Sequence, residues 1–585
     1  MATEAYVLAH DLGTSGNKAC LYRVGEWVEQ VGSCLVEYPL LLTADGGAEE
    51  RAEDWWQAVG LATRTLLGRT GLDPALIRGM AFCSQMQGSV LVDEGGQALR
   101  NPMIYLDARA QAQLARHLYT GLLRIGKWNA SKTLRSLIIT GGLAGTAKDP
   151  LWKYHWVKDN EPEVFARAWK WLDVKDYLTL RCTGRLGMTY DSAHLTWVFD
   201  TRPGRLGWSG PLCRLFGVDP RHLPPVVRSV DVIGPLLPAV AAEMGLSPGT
   251  PVFGGGGDTT LIAIGAGCTK LNDTHVYIGT SGWVAATVGK RMVDTTNFIA
   301  SILGAIPGRY VYTAEQETAG ACLQWVRDHL ALDEIGLYLG AQPVVDSRKG
   351  GGGAGGPAGG GDKSQEYASL YEFLNEVAAQ TPPGAGGLIF TPWLHGNRAP
   401  REDPFARGVF FNLSLDTGKR QMIRSVLEGV AYHVRWSLEA VERRIPRREV
   451  VRLAGGGAKS PVWCQIMADV TGRKVEVVEN AQDAGTAGAA IVCGVGLGLV
   501  PSFEAAGALV RVERTYAPRP ETRAVYERQY RVFKEIYRRN RELFRQLNDP
   551  ELAGRPSDRG PLHGPSESPP PGGPTREVDS DVRHA

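Results

Sequence analysis

Short β-prone runs alternate with helical stretches along almost the whole chain. Residues 6–9 and 19–22 are apolar runs on either side of the tetrapeptide Gly13-Thr14-Ser15-Gly16. Residues 53–67 have helical spacing, and 79–82 and 90–93 are strand-like. A strand at 252–253 runs into the glycine-rich "FGGGGDTT". Residues 276–278 and 283–287 then bracket a second copy of the tetrapeptide, Gly279-Thr280-Ser281-Gly282. The alternation predicts an α/β fold with substantial parallel or mixed sheet. The repeated turn predicts two similar halves with one hairpin each, dividing near residue 250.

Three stretches break this rhythm. Residues 153–208 are rich in aromatics and, with Trp152, hold six tryptophans; they predict helices joined by loops. Residues 523–548 place Tyr526, Tyr530, Phe533, Tyr537, Phe544 and Leu547 at helical spacing. That spacing predicts an amphipathic helix docked on the fold with a solvated basic face. The run "RKGGGGAGGPAGGGDK", residues 348–363, has no core-forming residue and predicts a flexible insertion. It is not read as a phosphate loop, because no strand and helix N-terminus flank it. The tail, residues 549–585, is Pro, Gly, Ser and charge, and predicts disorder.

Composition narrows the class. At 585 residues the chain is too long for one hydrophobic core. A net charge of +2 provides no field for nucleic acid. The most apolar long run, 485–500, has 16 residues and is rich in Gly and Ala, too short to span a bilayer. The N-terminus lacks the charged and apolar regions of a signal peptide. The nine cysteines show no metal-ligand spacing and read as reduced, buried thiols. The expected location is the cytoplasm, with neither nucleic acid nor membrane as partner.

The first turn carries candidate chemistry. Asp11 ends an apolar strand, one residue away from Gly13. Glycines let backbone N–H groups approach an anion, and Thr14 and Ser15 add hydroxyl donors. A carboxylate beside such a turn suits a metal that bridges to phosphate. Asp11 and its turn therefore point to Mg²⁺ and a nucleotide phosphate. A second such turn from a second half suggests a grip on a polyphosphate from both sides, the duplicated architecture of the actin-like ATPases and sugar kinases.

Over roughly residues 5–500 the sequence resembles the FGGY family of carbohydrate kinases. "HDLGTSG" resembles its first phosphate hairpin. "FCSQMQGSVLVDEGGQALRNPMIYLDARA" resembles its sugar-side segment, and "PLWKYHWVKDNEP" its first signature. "DVKDYLTLRCTGRLGMTYDSA" is similar to the end of its first domain. "FGGGGDTT" resembles the segment carrying the catalytic carboxylate. "GNRAPREDPFARGVFFNLS" and "VLEGVAY" resemble its second signature, and "LAGGGAKSPVWCQIMADVTGRKVEV" its adenosine-binding segment.

The resemblance implies two actin-like (ribonuclease H-like) domains, 1–250 for sugar and 251–548 for nucleotide, with the active-site cleft between them. It implies ATP as phosphoryl donor and Mg²⁺ as cofactor. Asp258 is then the general base, and Asp11 holds Mg²⁺. Gly13, Thr14, Ser15 and Lys18 meet the phosphates from one side, Gly279 and Thr280 from the other. Gly320 and Gln324 contact nucleotide, and Gly456, Gly457 and Ala458 the adenosine. Met86, Gln87, Asp107 and Arg109 line the sugar pocket. Plainer readings stand beside three of these roles. Asp258 also suits an N-cap of the helix after it, and Asp107 a capped helix start in "LDARAQAQLARH". Lys18 also suits a solvated or charge-paired lysine.

Departures from the family pattern fall on the sugar side. Gln87 stands where many members have His, and Tyr105 where a Trp is usual. The Arg-Glu pair of glycerol kinases is absent from residues 84–88. The implied acceptor is the primary hydroxyl of a ketopentose such as D-xylulose; another ketose, a polyol or a sugar acid stays open. So does a homodimeric assembly, and so does a non-catalytic ATP- or sugar-binding protein.

Overall fold

A computed structural model describes residues 5–330, 370–549 and 552. The glycine-rich insertion 348–363 and the tail beyond 549 lie outside the described residues, save Leu552. Two large mixed sheets dominate.

The first is built from β1 (Ala5–Gly13), β2 (Gly16–Val24), β3 (Val28–Glu37), β4 (Ile77–Ser84), β5 (Val232–Pro235) and β6 (Pro251–Phe253). Its order is β5-β6-β4-β1-β2-β3, and Gly256–Gly257 adds a short seventh strand on β4. Strand β1 is buried over most of its length, as a central strand covered on both faces must be. Helix α1 (Ala52–Thr70) covers β2 and β3 and buries Trp55, Trp56, Val59 and Leu66. Helix α2 (Pro150–Asn160) belongs to an aromatic subdomain whose core includes Trp152, Tyr154 and Trp171. Helix α3 (Asp258–Gly265) follows the glycine run.

The second sheet comprises β7 (Thr274–Ile278), β8 (Gly282–Val288), β9 (Tyr310–Gln316), β10 (Val450–Ala454), β11 (Lys474–Val478) and β12 (Val512–Tyr516). Two further strands, Val293–Asp294 and Ile299–Leu303, extend it beyond β9. Helices α4 (Gly320–His329), α5 (Lys419–Val441), α6 (Ala484–Gly496) and α7 (Arg523–Asn548) come from this half.

The sheets repeat each other. In the first, β3-β2-β1 is an antiparallel meander, β4 runs parallel to β1, β6 parallel to β4, and β5 antiparallel to β6. In the second, β9-β8-β7, then β10, β11 and β12 follow the same sequence of directions. Gly-Thr-Ser-Gly joins β1 to β2 in one and β7 to β8 in the other. One turn therefore sits at the same place in each half.

The expected division near residue 250 does not match the sheets, since β6 pairs with β4 of the first. The apolar run beginning at Gly485 is α6, which packs not on its own sheet but on β1, β2 and β4. It also lies against α3 at backbone range. A Cβ on Gly265 would stand 1.8 Å from Ala484 O, and one on Gly488 2.0 Å from Leu261 O. These two glycine-studded helices pack backbone to backbone where the two halves meet. Helix α7 docks as its pattern predicts, with Tyr526, Tyr530, Phe533, Tyr537 and Phe544 buried. Leu547 departs from that face and is 74% exposed.

Candidate active site

The ends of β1 and β4 and the start of α3 converge. Asp11 lies beside Cys83 in the β1–β4 register, and the Cys83 thiol hydrogen-bonds its carboxylate. Burial raises the Asp11 pKa above the usual carboxylate range, against the pull of that bond and of Lys18. Helix α6 presses on the same carboxylate: a Cβ on Gly485 would stand 2.6 Å from Asp11 Oδ2.

Asp258 is the first residue of α3, and Gly257, not Asp258, occupies the N-cap. Thr259 N donates to Asp258 Oδ1 at 2.7 Å. Among the described residues no hydrogen bond is given to Oδ2. Burial first, then the charge of Asp11, push Asp258 up to about 7, with Glu315 adding and Thr259 opposing. The turn before it is braced by the buried Asp191, whose Oδ2 accepts from Gly257 N at 2.8 Å and Thr260 Oγ1 at 2.7 Å. That brace had no separate signal in the sequence.

The segment after β4 brings Met86 against the residue that precedes this carboxylate, and Gln87 follows it in the chain. A Cβ on Gly257 would meet Met86 Sδ at 2.3 Å, so Met86 lies directly against the residue preceding Asp258. Gln87 has φ +64°, unusual for a residue other than glycine. Its backbone is clamped on both sides. Lys153 Nζ donates to Gln87 O at 2.8 Å and to Ile104 O at 2.6 Å, and Gly88 N donates to Asp173 Oδ1 at 2.9 Å. Burial lowers Lys153 to about 7. On the other side of Gln87 stand Asp149 and Trp197. Tyr105 reaches the first hairpin, where Thr14 Oγ1 donates to its hydroxyl at 3.2 Å. Tyr38 fixes the hairpin itself: its hydroxyl donates to Gly13 O at 2.5 Å, and its N–H to Ser15 O at 3.2 Å.

Asp107 and Arg109 form a different arrangement. Asp107 is wholly buried; Oδ2 accepts from Ala48 N at 2.9 Å and from Arg109 Nη2 at 2.7 Å. Arg109 also pairs with Glu49 at 2.5 Å and lies over the Trp156 ring. Nor does Asp107 cap a helix, because the helix there is Gln111–Leu118 with Ala110 at its N-cap. The pair ties residues 48–49 to α2, behind the segment that carries Gln87.

The opposite wall comes from the second half. Glu315, next to the end of β9, pairs with Arg398 at 2.5 Å. Glu317 faces Lys148 of the first half at 3.8 Å. Tyr277 of β7 stacks on Trp283 at 4.1 Å; burial, then the charges of Asp11 and Asp258, push its phenol up. The second hairpin thus lies within electrostatic reach of the acid pair.

The nucleotide-side candidates gather on that hairpin. Gly320 opens α4 and donates its N–H to Gly279 O at 2.7 Å, while Ala319 N and Ala321 N both donate to Thr280 O at 3.0 Å. Gln324 follows one turn later, half-buried. Gly457 packs on Ile278, the last residue of β7, whereas a Cβ on Gly456 would meet nothing within 4 Å. Gly456 therefore borders open space at the end of β10, while Ala458 is buried beside it. Lys18 takes the charge-paired alternative, with its ammonium against Asp483.

Asp11 fits a hard cation. Its donors are oxygens, and no group of three or more His, Cys, Asp or Glu among the described residues gathers into a metal cage. Mg²⁺ characteristically takes one or two carboxylates and completes its shell with phosphate and water.

A duplicated sheet with a hairpin in each half, closing on a half-buried acid pair, defines a class. The FGGY carbohydrate-kinase N-terminal domain matches residues 6–265, and the C-terminal domain residues 275–497. The chain belongs to the FGGY family of carbohydrate kinases, a two-domain fold with actin-like neighbours, and is an ATP-dependent sugar kinase. Among relatives, it is 28% identical over 545 residues to the xylulose kinase of Staphylococcus epidermidis, covering 92% of this chain and 98% of that one. It is 26% identical over 552 residues to the gluconokinase of Bacillus subtilis, covering 93% and 98%. The ligand-bound xylulose kinase structure from Lactobacillus acidophilus superposes with a TM-score of 0.76 at 23% identity, over 93% of this chain and all of that one.

Proposed function

We propose that this protein transfers the γ-phosphate of ATP to the primary hydroxyl of a neutral ketopentose, with D-xylulose as the leading substrate. The observation that carries this reading is Asp258, held through one oxygen at the start of α3, with Met86 packed against the residue before it. Asp258 Oδ1 is pinned by Thr259, so Oδ2 takes the proton of the sugar hydroxyl as its oxygen attacks the γ-phosphorus. A carboxylate near 7 is matched to that task at neutral pH. Such a base argues against a non-catalytic scaffold, which needs none.

Met86, Gln87 and the clamp on their backbone orient the sugar, with Asp107 and Arg109 acting from behind. The hairpin residues Gly13, Thr14 and Ser15 meet the terminal phosphate; Gly279, Thr280, Gly320 and Gln324 meet the inner phosphates and nucleotide. Gly456, Gly457 and Ala458 meet the adenosine, with the open space at Gly456 leaving room for it. Asp11 holds Mg²⁺, which when bound neutralises charge on the transferring group. The sugar domain runs to the end of α3 and the nucleotide domain from β7 to α7.

A neutral acceptor is favoured by charge. Arg398 of the opposite wall and Lys148 of the first half already face Glu315 and Glu317, and Asp149 stands beside Gln87. A sugar acid adds negative charge to a wall already rich in it. The similarity to a gluconokinase keeps a sugar acid as the second reading. The nine free, buried cysteines support a reducing compartment, the cytoplasm. A coupled ADP-release assay over ketoses, polyols and sugar acids tests the proposal. D-Xylulose should give the highest kcat/KM; a tenfold preference for gluconate transfers the assignment to a sugar acid.

A further inference from the structure

Asp149 precedes Pro150 at the N-cap of α2, where an aspartate ordinarily accepts from the first free N–H groups of its own helix. Its carboxylate makes no such bond. It turns instead to four donors from outside α2. Thr146 N and Thr146 Oγ1 donate to Oδ2 at 2.9 and 3.1 Å. Trp197 Nε1 and Gln87 Nε2 donate to Oδ1 at 2.8 and 3.4 Å. Trp197, like Gln87, has a left-handed backbone, with φ +63°. Two bulky residues in a conformation that L-residues avoid thus converge on one oxygen, and both remain half-buried beside the cleft.

A carboxylate only accepts, so whatever faces it must donate. The Gln87 amide is symmetric in shape but not in function: with Nε2 turned to Asp149, Oε1 points away. Among the described residues, no donor is recorded for Oε1. We infer that Asp149 is a positioning residue that sets the Gln87 amide, so that the site offers the sugar a hydrogen-bond acceptor rather than a donor. The inference rests on the sugar-kinase reading above and adds a rule of specificity. The hydroxyl facing Gln87 must itself donate, and an analogue that only accepts is refused there.

Analogues of the best sugar from the substrate panel test this with the unaltered enzyme. Each hydroxyl is replaced in turn by hydrogen and by fluorine, which has no proton to donate. At one position the deoxy and fluoro analogues should both lose about ten- to hundredfold in kcat/KM. Gln87→Ala should erase that discrimination and identify the position. A fluoro analogue clearly better than its deoxy counterpart there overturns the inference, because Gln87 then presents a donor.

Asp149→Ala supplies the second arm. It removes the acceptor from both donor pairs, so the Gln87 amide loses the group that sets its orientation. The sugar KM should rise about tenfold, with the KM for ATP unchanged and no further loss in the Gln87→Ala background. Additive losses in the double variant, or equal rises in both KM values, mark Asp149 as merely structural. A best sugar other than D-xylulose removes the substrate assignment but leaves this test intact on that sugar. An enzyme that phosphorylates nothing in the panel overturns both.

Discussion

Lys18 Nζ lies 2.5 Å from Asp483 Oδ1, joining the strand after the first phosphate hairpin to the residue before α6. Gln30 Nε2 donates to the other carboxylate oxygen at 2.9 Å. The pair therefore ties the first sheet to a helix from the second half. Removing the ammonium leaves Asp483, 4% exposed, with only two neutral side-chain partners, Gln30 and Gln482. Losing one member of a fully buried pair costs about 3–5 kcal/mol; Lys18 is 27% exposed, so Lys18→Met should cost less than that. Thermal melting should drop by several degrees while the KM for ATP stays within about twofold. A large rise in that KM with unchanged melting places the lysine on phosphate instead.

The acid pair should separate by role. Asp258→Asn keeps an acceptor for Thr259 N but cannot take a proton, so kcat should fall about 10²–10⁴-fold with nucleotide affinity intact. Asp11→Asn should weaken the Mg²⁺-dependent step, and added Mg²⁺ should restore part of it. Single-turnover phosphorylation beside nucleotide titration distinguishes them. Near-normal turnover by the Asp258 variant moves the base elsewhere.

Much of this was legible in the sequence because it is local. The two Gly-Thr-Ser-Gly turns, the glycine run before Asp258 and the docked terminal helix all follow from short-range pattern. What escaped was long-range. Asp107 reads as a cap or a sugar ligand until Arg109, Glu49 and Ala48 N are seen around it. Asp149 stands in no motif singled out in the sequence, and only the fold shows it turned away from its own helix to Trp197 and Gln87. Glu315 carries no motif, and Arg398, although it lies in the second-signature segment, shows its role only beside Glu315. The run beginning at Gly485 was visible as the most apolar stretch, but not as the helix that crosses to the other half.

The buried histidines give a pH dependence. His155 is 2% exposed and its ring packs 4.4 Å from that of His117. Burial holds it down to about 3, so the folded protein keeps it neutral while the unfolded chain protonates it below about 6.5. Its contribution to stability is therefore lost as pH falls from about 6.5 toward about 3, at about 1.4 kcal/mol per pH unit. Melting curves between pH 7.5 and 4.5 should fall less steeply for His155→Phe than for the parent. Parallel slopes mean that His155 is not neutral in the folded state.

The contact of α6 at Asp11 predicts a localised loss. A methyl group on Gly485 would stand 2.6 Å from Asp11 Oδ2 and 2.9 Å from Cys83 Sγ. Contacts that short push the carboxylate aside. Gly485→Ala should therefore mimic Asp11→Asn, with a higher Mg²⁺ requirement and an unchanged sugar KM. Mg²⁺ titration of activity checks it; a normal Mg²⁺ curve shows that α6 does not set the carboxylate.

The second hairpin should be addressable without touching the sugar. Gly320 sits where α4 begins, and its N–H bonds Gly279 O at 2.7 Å. A Cβ there would lie 2.4 Å from the same oxygen and 3.2 Å from its carbon, both backbone atoms. Backbone cannot rotate away as a side-chain tip does, so Gly320→Ala must displace either the helix start or the turn Gly279–Thr280. Both belong to the proposed nucleotide side. The KM for ATP should rise about tenfold or more, the sugar KM should stay within about twofold, and kcat at saturating ATP should fall less than in Asp258→Asn. The mirrored change on the first side, Gln87→Ala, should reverse the pattern by raising only the sugar KM. Initial-rate kinetics with each substrate varied at saturating levels of the other reads both. If Gly320→Ala raises the two KM values together, the hairpins do not act as separate arms of one clamp, and the division of labour between the halves fails.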